Sequence, residues 1–187
     1  MAGSTGRALE QTEIVARPED YLLPHWYAVY TSAHHEKRVA EQLSMRSVEQ
    51  FLPLYRSVRM WKDRRVELEL PLFPGYVFVR TVLRDRLRIL QVPGVANLVG
   101  FGGTPTALPE SDVERLKQGL AAGVGAQPHP FLTVGRNVRI RSGPLAGMVG
   151  ILLRRKNAVR VVVSLRLIQR SVALEVDATQ LEPVFRG

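Results

Sequence analysis

The sequence predicts an α+β protein in two parts, an N-terminal antiparallel sheet with helices packed against it and a small C-terminal β-barrel. Three observations carry this. Strand-like alternation and amphipathic helical spacing interleave up to about residue 120. The stretch Leu-Ala-Ala-Gly-Val-Gly-Ala-Gln-Pro-His-Pro, residues 120 to 130, then loses all periodicity. Only short strands with turn signals follow it. On this reading residues 1–24 are a flexible extension, 25–121 the first domain, 122–131 a linker and 132–187 the second domain.

Composition bounds the class. With 187 residues, 45% of them hydrophobic, the chain has room for one medium or two small domains and is not disordered overall. The absence of cysteine excludes disulfides and thiolate metal sites and fits a reducing compartment. There is no uninterrupted apolar run of about 18 residues, and no basic start followed by an apolar core, so a cytoplasmic protein without a membrane partner is expected. The net charge of +9 is unevenly placed: residues 132–187 hold ten Lys/Arg against three Asp/Glu (+7), and residues 1–131 sixteen against fourteen (+2). Clustered cations suggest an anionic neighbour, most often nucleic acid.

Taken in order, Trp26-Tyr27-Ala28-Val29-Tyr30-Thr31 is a strand by its aromatic and β-branched content, with Trp26, Ala28 and Tyr30 on one face and Tyr27 and Val29 on the other. Thr31-Ser32 is placed to cap a helix running to about Arg46, with Ala33, Val39, Ala40 and Leu43 inward. Gln50 to Trp61 reads as a second strand broken early by Pro53. Val66 to Leu70 reads as a third, in which Val66, Leu68 and Leu70 alternate with Glu67 and Glu69. The tip between them, Lys62-Asp63-Arg64-Arg65 with Arg59 nearby, is basic. It fits a contact with a phosphate backbone and equally a charge-guarded strand edge.

The middle of the chain turns on Pro71-Leu72-Phe73-Pro74-Gly75, a stiff apolar turn feeding the strand Tyr76-Val77-Phe78-Val79. Phe73 is expected on a rim, where it either docks a partner or plugs the sheet edge. Val82 to Leu90 has helical spacing at Leu83, Leu87 and Leu90, with Arg84, Arg86 and Arg88 around it, and Pro93-Gly94 ends it. Val95 to Gly100 is a short strand, and Ser111-Asp112-Val113-Glu114 reads as a capping box opening a helix with Val113, Leu116 and Leu120 inward.

No catalytic constellation appears. The four histidines, His25, His34, His35 and His129, have no clustered carboxylates to join them as metal ligands. Adjacent His34 and His35 point about 100° apart on a helix and cannot chelate one ion. No Gly-rich phosphate loop follows a strand. Neither a catalytic site, a metal nor a cofactor is expected.

In the second domain, Gly135-Arg136-Asn137-Val138-Arg139-Ile140-Arg141-Ser142-Gly143-Pro144-Leu145-Ala146-Gly147-Met148-Val149-Gly150 resembles a KOW motif, with Gly143-Pro144 setting a tight turn and Gly147 at a position a Cβ would crowd. Together with Trp26-Tyr27 and Pro74-Gly75-Tyr76-Val77-Phe78-Val79, the order resembles the NusG family of transcription elongation factors over roughly residues 25 to 184. The resemblance implies an NGN-like domain joined to an SH3-like KOW barrel, in a monomer. It implies binding to the clamp helices of RNA polymerase beside the non-template DNA strand, through an apolar aromatic surface carried over onto Trp26, Tyr27, Tyr30, Phe73, Pro74, Gly75 and Tyr76. Arg84, Arg86 and Arg88 become candidates for DNA-backbone contact, and Arg59, Lys62, Arg64 and Arg65 for nucleic acid at the hairpin tip. Leu165 and Ile168 would form an apolar rim of the barrel for a ribosomal protein or the termination factor Rho.

The run Ser164-Leu165-Arg166-Leu167-Ile168-Gln169-Arg170-Ser171-Val172-Ala173-Leu174-Glu175-Val176-Asp177 differs from that of the housekeeping branch and resembles the specialised, UpxY- and RfaH-like antiterminators. The implied function is non-catalytic suppression of pausing and termination. A housekeeping factor coupling polymerase to ribosome or Rho, or a ribosome- or RNA-binding KOW module, are the alternatives.

Overall fold

Strands and helices arise where the residue pattern demands them, and one strand organises the first unit. In the computed structural model, which describes residues 21–131, 135–155 and 158–184, His25–Thr31 forms β1, followed by α1 (Glu36–Met45), β2 (Glu49–Phe51), β3 (Leu54–Trp61), β4 (Arg64–Pro71), β5 (Tyr76–Thr81), α2 (Arg86–Leu90) and β6 (Val95–Leu98). A two-strand ribbon, β7 (Gly100–Phe101) and β8 (Thr104–Pro105), leads into α3 (Glu110–Ala121). Strands β2, β5, β1 and β6 lie side by side in that order, all antiparallel. The period of two in β1 and β5 sorts their side chains cleanly. Tyr27, Val29, Val77 and Val79 pack under α1 and α2 with Val39, Leu43, Leu83 and Ile89, while Trp26, Ala28 and Phe78 face the opposite way. The expected extension, residues 1–24, lies outside the described residues up to position 20.

The second unit is the expected small β-barrel: β9 (Ala126–His129), β10 (Asn137–Ile140), β11 (Val149–Arg155), β12 (Ala158–Leu165), β13 (Arg170–Glu175) and β14 (Leu181–Pro183), paired in the order β14-β10-β11-β12-β13-β9. Val161, Val162 and Val163 are all buried, as are Val172, Ala173 and Leu174, so the middle strands are covered on both faces and read as continuous apolar runs. Gly143 and Gly147 both take positive φ, +84° and +86°, which only glycine adopts without strain, and thereby shape the turn between β10 and β11.

Several local expectations are corrected. The first helix begins at Glu36 and not at Ser32, and Ala33 is exposed. Its approach is spent on tertiary hydrogen bonds, Thr31 N–H to Gly75 O at 2.9 Å and Ser32 N–H to Gly94 O at 2.8 Å, and His34 sits at φ 62°. The stretch from Val82 opens as a 3-10 turn, Leu83–Asp85, before α2. Its tighter winding rotates the inward face, so Leu83 and Ile89 are buried whereas Leu87 is 61% exposed. The capping box at Ser111 is not formed, because α3 already starts after Pro109 and Glu114 instead accepts a hydrogen bond from Trp26 Nε1 at 3.2 Å. Residues 122–131, read as a linker, contain β9, which pairs with β13 at the barrel edge.

The Pro-Gly turn is held by one buried carboxylate. Glu36, almost fully enclosed, accepts the Gly75 N–H at 2.8 Å, and the Gly75 carbonyl in turn accepts from Thr31. Removing that carboxylate strands a part-buried donor. Glu36→Ala is expected to lower unfolding stability by about 1–3 kcal/mol in urea denaturation, while a substitution at solvent-facing Lys37 leaves it within about 0.5 kcal/mol.

Candidate functional site: the apolar face between the two units

The face of the first sheet opposite α1 and α2 carries more apolar surface than its own unit covers. Trp26 and Phe78 stand on it, and the turn after β4 lays Leu72 and Phe73 across it, with Phe73 edge-on to Phe78 at a centroid distance of 5.4 Å. Helix α3 flanks it with Val113 and Leu116. The barrel closes it. Met148, Val163, Leu165 and Val172 lie opposite Phe73, Phe78, Val113 and Leu116 around a residual gap of only about 10 Å3. Both units therefore share one hydrophobic cluster.

Polar and backbone details match this seating. The Arg170 guanidinium of β13 lies 5.7 Å from the Tyr76 ring centroid. Gly119, inside α3, has no Cβ where one would run into Leu145 of the barrel turn. A Cβ on Gly147 would lie 2.9 Å from Arg115 Nη2 of α3. A glycine in a helix interior costs about 1 kcal/mol relative to alanine, and here the close approach of the barrel accounts for it.

The seven residues read as a single contact surface separate into three environments. Trp26 and Phe73 lie on the barrel-facing side and are 0% and 1% exposed. The expectation that Phe73 stands on an open rim is thus corrected, since the barrel is folded down over it. Tyr27 is buried on the other side of the sheet, among the helices. Tyr30, Pro74, Gly75 and Tyr76 lie at the edge. Tyr30 is exposed and its ring is 5.4 Å from that of Tyr76, with Gly75 packed on the Tyr30 ring. Leu165 and Ile168, expected on an open barrel rim, are drawn inward: Ile168 is buried and Leu165 lines the gap beside Phe73.

The basic candidates remain outside. Arg59, Lys62, Arg64 and Arg65 are all exposed at the end of the β3–β4 hairpin. Arg84, Arg86 and Arg88 are exposed but partly engaged: Arg84 with Asp85 at 3.7 Å, Arg86 with the Leu83 carbonyl at 3.4 Å, and Arg88 with the Arg46 carbonyl at 2.7 Å. Among the described residues no group of three or more His, Asp or Glu is placed to hold a metal ion. The sequence pattern missed Gly119, Arg115, Leu145 and Met148 as interface residues. The lone glycine within α3 was their one visible signal.

Comparison with known proteins decides the family. The family model described as "NusG: Transcription termination factor nusG" matches residues 24–117. The chain belongs to the NusG family. It is 26% identical over 172 residues to the transcription termination/antitermination protein NusG of Rickettsia felis, across 84% of this chain and 88% of that one. With the protein of the same name from Staphylococcus epidermidis it is 29% identical over 183 residues, across 88% and 98%. A solved structure described as "Domain interaction in Thermotoga maritima NusG" superposes with a TM-score of 0.54 at 22% identity, covering 88% of this chain and 99% of that one, and shares the fold. The resemblance drawn from the Trp-Tyr, Pro-Gly-Tyr and Gly-Pro-Leu-Ala-Gly motifs is thereby confirmed, and the chain is a transcription factor of this family. Among the described residues no helix is long and apolar enough to cross a membrane.

Because Gly119 admits Leu145, a bulky side chain there should wedge the two units apart without touching the aromatic face. Gly119→Leu is expected to increase the radius of gyration in small-angle scattering while far-UV circular dichroism stays unchanged. An unaltered radius would show that the seating tolerates the added bulk.

Proposed function

We propose that this chain is a non-catalytic elongation factor that binds the clamp helices of RNA polymerase with the Trp26, Phe73 and Tyr76 face and, once bound, suppresses pausing and termination. One observation carries the reading: around Phe73 and Tyr76 the aromatic face is completed by the barrel, through Met148, Val163, Leu165, Val172 and Arg170, while Trp26 is covered by α3 and Leu108 of its own unit, so a helical partner of similar apolar character takes the barrel's place. Edge residues Tyr30, Pro74 and Gly75 extend the contact, while Tyr27 supports β1 from behind. In the bound state Arg84, Arg86 and Arg88 face the non-template DNA strand. The factor works as a monomer in the cytoplasm.

Mechanistically, the barrel and the polymerase compete for the same surface. The apparent affinity for polymerase is the intrinsic affinity reduced by the fraction of molecules in which the face is open. A bound factor then shifts the polymerase between paused and elongating states only by its differential affinity for them, and a few kcal/mol is enough. Opening also frees Leu165 and Ile168 on the +7 barrel for a second partner, a ribosomal protein or Rho.

The specialised-antiterminator reading rests on the Ser164–Asp177 run. That run supplies Leu165, Arg170 and Val172 to the contact with the first unit, so its departure from the housekeeping pattern falls on the surface that governs opening.

Phe73→Asp is expected to weaken polymerase capture by about 30-fold or more, as removal of a central aromatic anchor does. Gly119→Leu should strengthen it by releasing the face. The assignment fails if Phe73→Asp binds polymerase as well as the parent chain does in a pull-down with melting behaviour unchanged.

A further inference from the structure

The β3–β4 hairpin projects from the sheet as a two-stranded ribbon, and its two faces differ in charge. Direct cross-strand partners share a face. One face therefore holds the pairs Arg56 with Glu69, Val58 with Glu67 and Met60 with Arg65. The other holds Tyr55 with Leu70, Ser57 with Leu68, Arg59 with Val66 and Trp61 with Arg64. Both carboxylates of the two strands are thus on the first face, and the second holds cations, aromatics, aliphatics and one hydroxyl, that of Ser57, with Asp63 confined to the turn. At the tip, the Lys62-Asp63 turn adopts φ of 42° and 66°, so Trp61 and Arg64 stand directly opposite one another. Trp61 is 68% exposed. Trp61, Lys62, Arg64 and Val66 line a shallow cleft of about 280 Å3.

A large indole left in water is costly to keep unless something covers it. The cations around it select an anionic occupant, and the flat π surface between Arg59 and Arg64 fits an unpaired base with phosphates on either side. We propose that Trp61 is a base-stacking residue for single-stranded DNA, with Arg59, Lys62 and Arg64 holding the flanking phosphates. The strands place no carboxylate or amide on this face to accept from a ribose 2′-hydroxyl, and its one hydroxyl, Ser57, lies two same-face positions back from Trp61, so the indole and its neighbouring cations do not select RNA over DNA. A duplex keeps its bases stacked on one another and offers the indole no free face. The proposal deepens the reading of the chain as a factor that works beside an opened DNA duplex, and it adds a residue and a mode of contact to the basic tip.

The test uses the full chain without polymerase, so that its outcome is separate from that of the Phe73 variants. The chain has two tryptophans, and Trp26 is enclosed, so the solvent-exposed part of the emission reports Trp61. An oligothymidylate of about twelve nucleotides is expected to quench that emission at low salt. Trp61→Ala should abolish the quenching and weaken binding about tenfold by anisotropy of the labelled oligonucleotide, while Trp61→Phe retains most of the affinity. The exposed position keeps these variants folded. The proposal is overturned if the oligothymidylate does not quench, if Trp61→Ala binds it as tightly as the parent chain, or if a duplex or an oligouridylate of equal length binds more tightly. Loss of polymerase capture in Trp61→Ala with oligonucleotide affinity intact would likewise overturn it and make the tip a protein contact.

Discussion

The structure depends on an imbalance of apolar surface across one four-stranded sheet. Helices α1 and α2 cover one side, but on the other α3, the Leu72-Phe73 turn, Leu108 and the partly buried Phe51, Tyr55 and Val99 leave the Phe73 and Phe78 end to be closed by the barrel. Exposing a contiguous aromatic patch of that size to water is unfavourable. The barrel supplies what is missing, through the row of side chains that β12 and β13 present on one face, Val163, Leu165 and Val172. Because hydrophobic contact is non-directional, any surface of comparable shape and apolarity satisfies the same need. On the proposed function, that replaceability is what would let a polymerase partner take the barrel's place on this face.

Specific features make this particular cover fit. Two glycines on opposite sides of the interface, Gly119 in α3 and Gly147 in the barrel turn, give way where Leu145 and Arg115 approach. Neither is needed for the fold of its own unit in the same way: α3 would be a better isolated helix with alanine at 119, whereas Gly147 also serves a left-handed turn. The cation of Arg170 against Tyr76 adds a polar margin to an otherwise apolar seam. The Phe73 turn itself is set by Glu36, so the geometry of the aromatic face and the start of α1 are coupled through one hydrogen bond.

Much of this was legible in the residues. Alternation in Trp26–Thr31 assigned its side chains to the correct faces, the strand after Pro74-Gly75 lies where expected, Pro53 broke the strand where expected, and the glycines of the Gly143–Gly147 turn marked the barrel motif. Local signals failed where tertiary contacts took the residues for other purposes. Ser32 offers its N–H to Gly94 and not a cap to a helix, Glu114 turns to Trp26 and not to a capping box, and Pro128 sits in an edge strand although Pro and Gly surround it. The site was half legible. Its residue types were visible in Trp26, Phe73 and Tyr76, but burial under a second unit depends on contacts between positions as distant as 73 and 163, which no local pattern encodes.

One consequence lies in the strand that leads into the barrel. Between the end of α3 at Ala121 and the start of β9 at Ala126 only residues 122 to 125 intervene, a leash of about 14 Å when fully drawn out. Even that is fastened, with Val124 N–H on the Gly119 carbonyl and the Gly125 carbonyl accepting from Glu175. The barrel can therefore pivot but not roam: to travel farther it must unzip β9 from β13, and doing so leaves the β13 edge bare. Reach is bought with an unpaired strand, which sets a free-energy step on how far the two halves of the molecule separate.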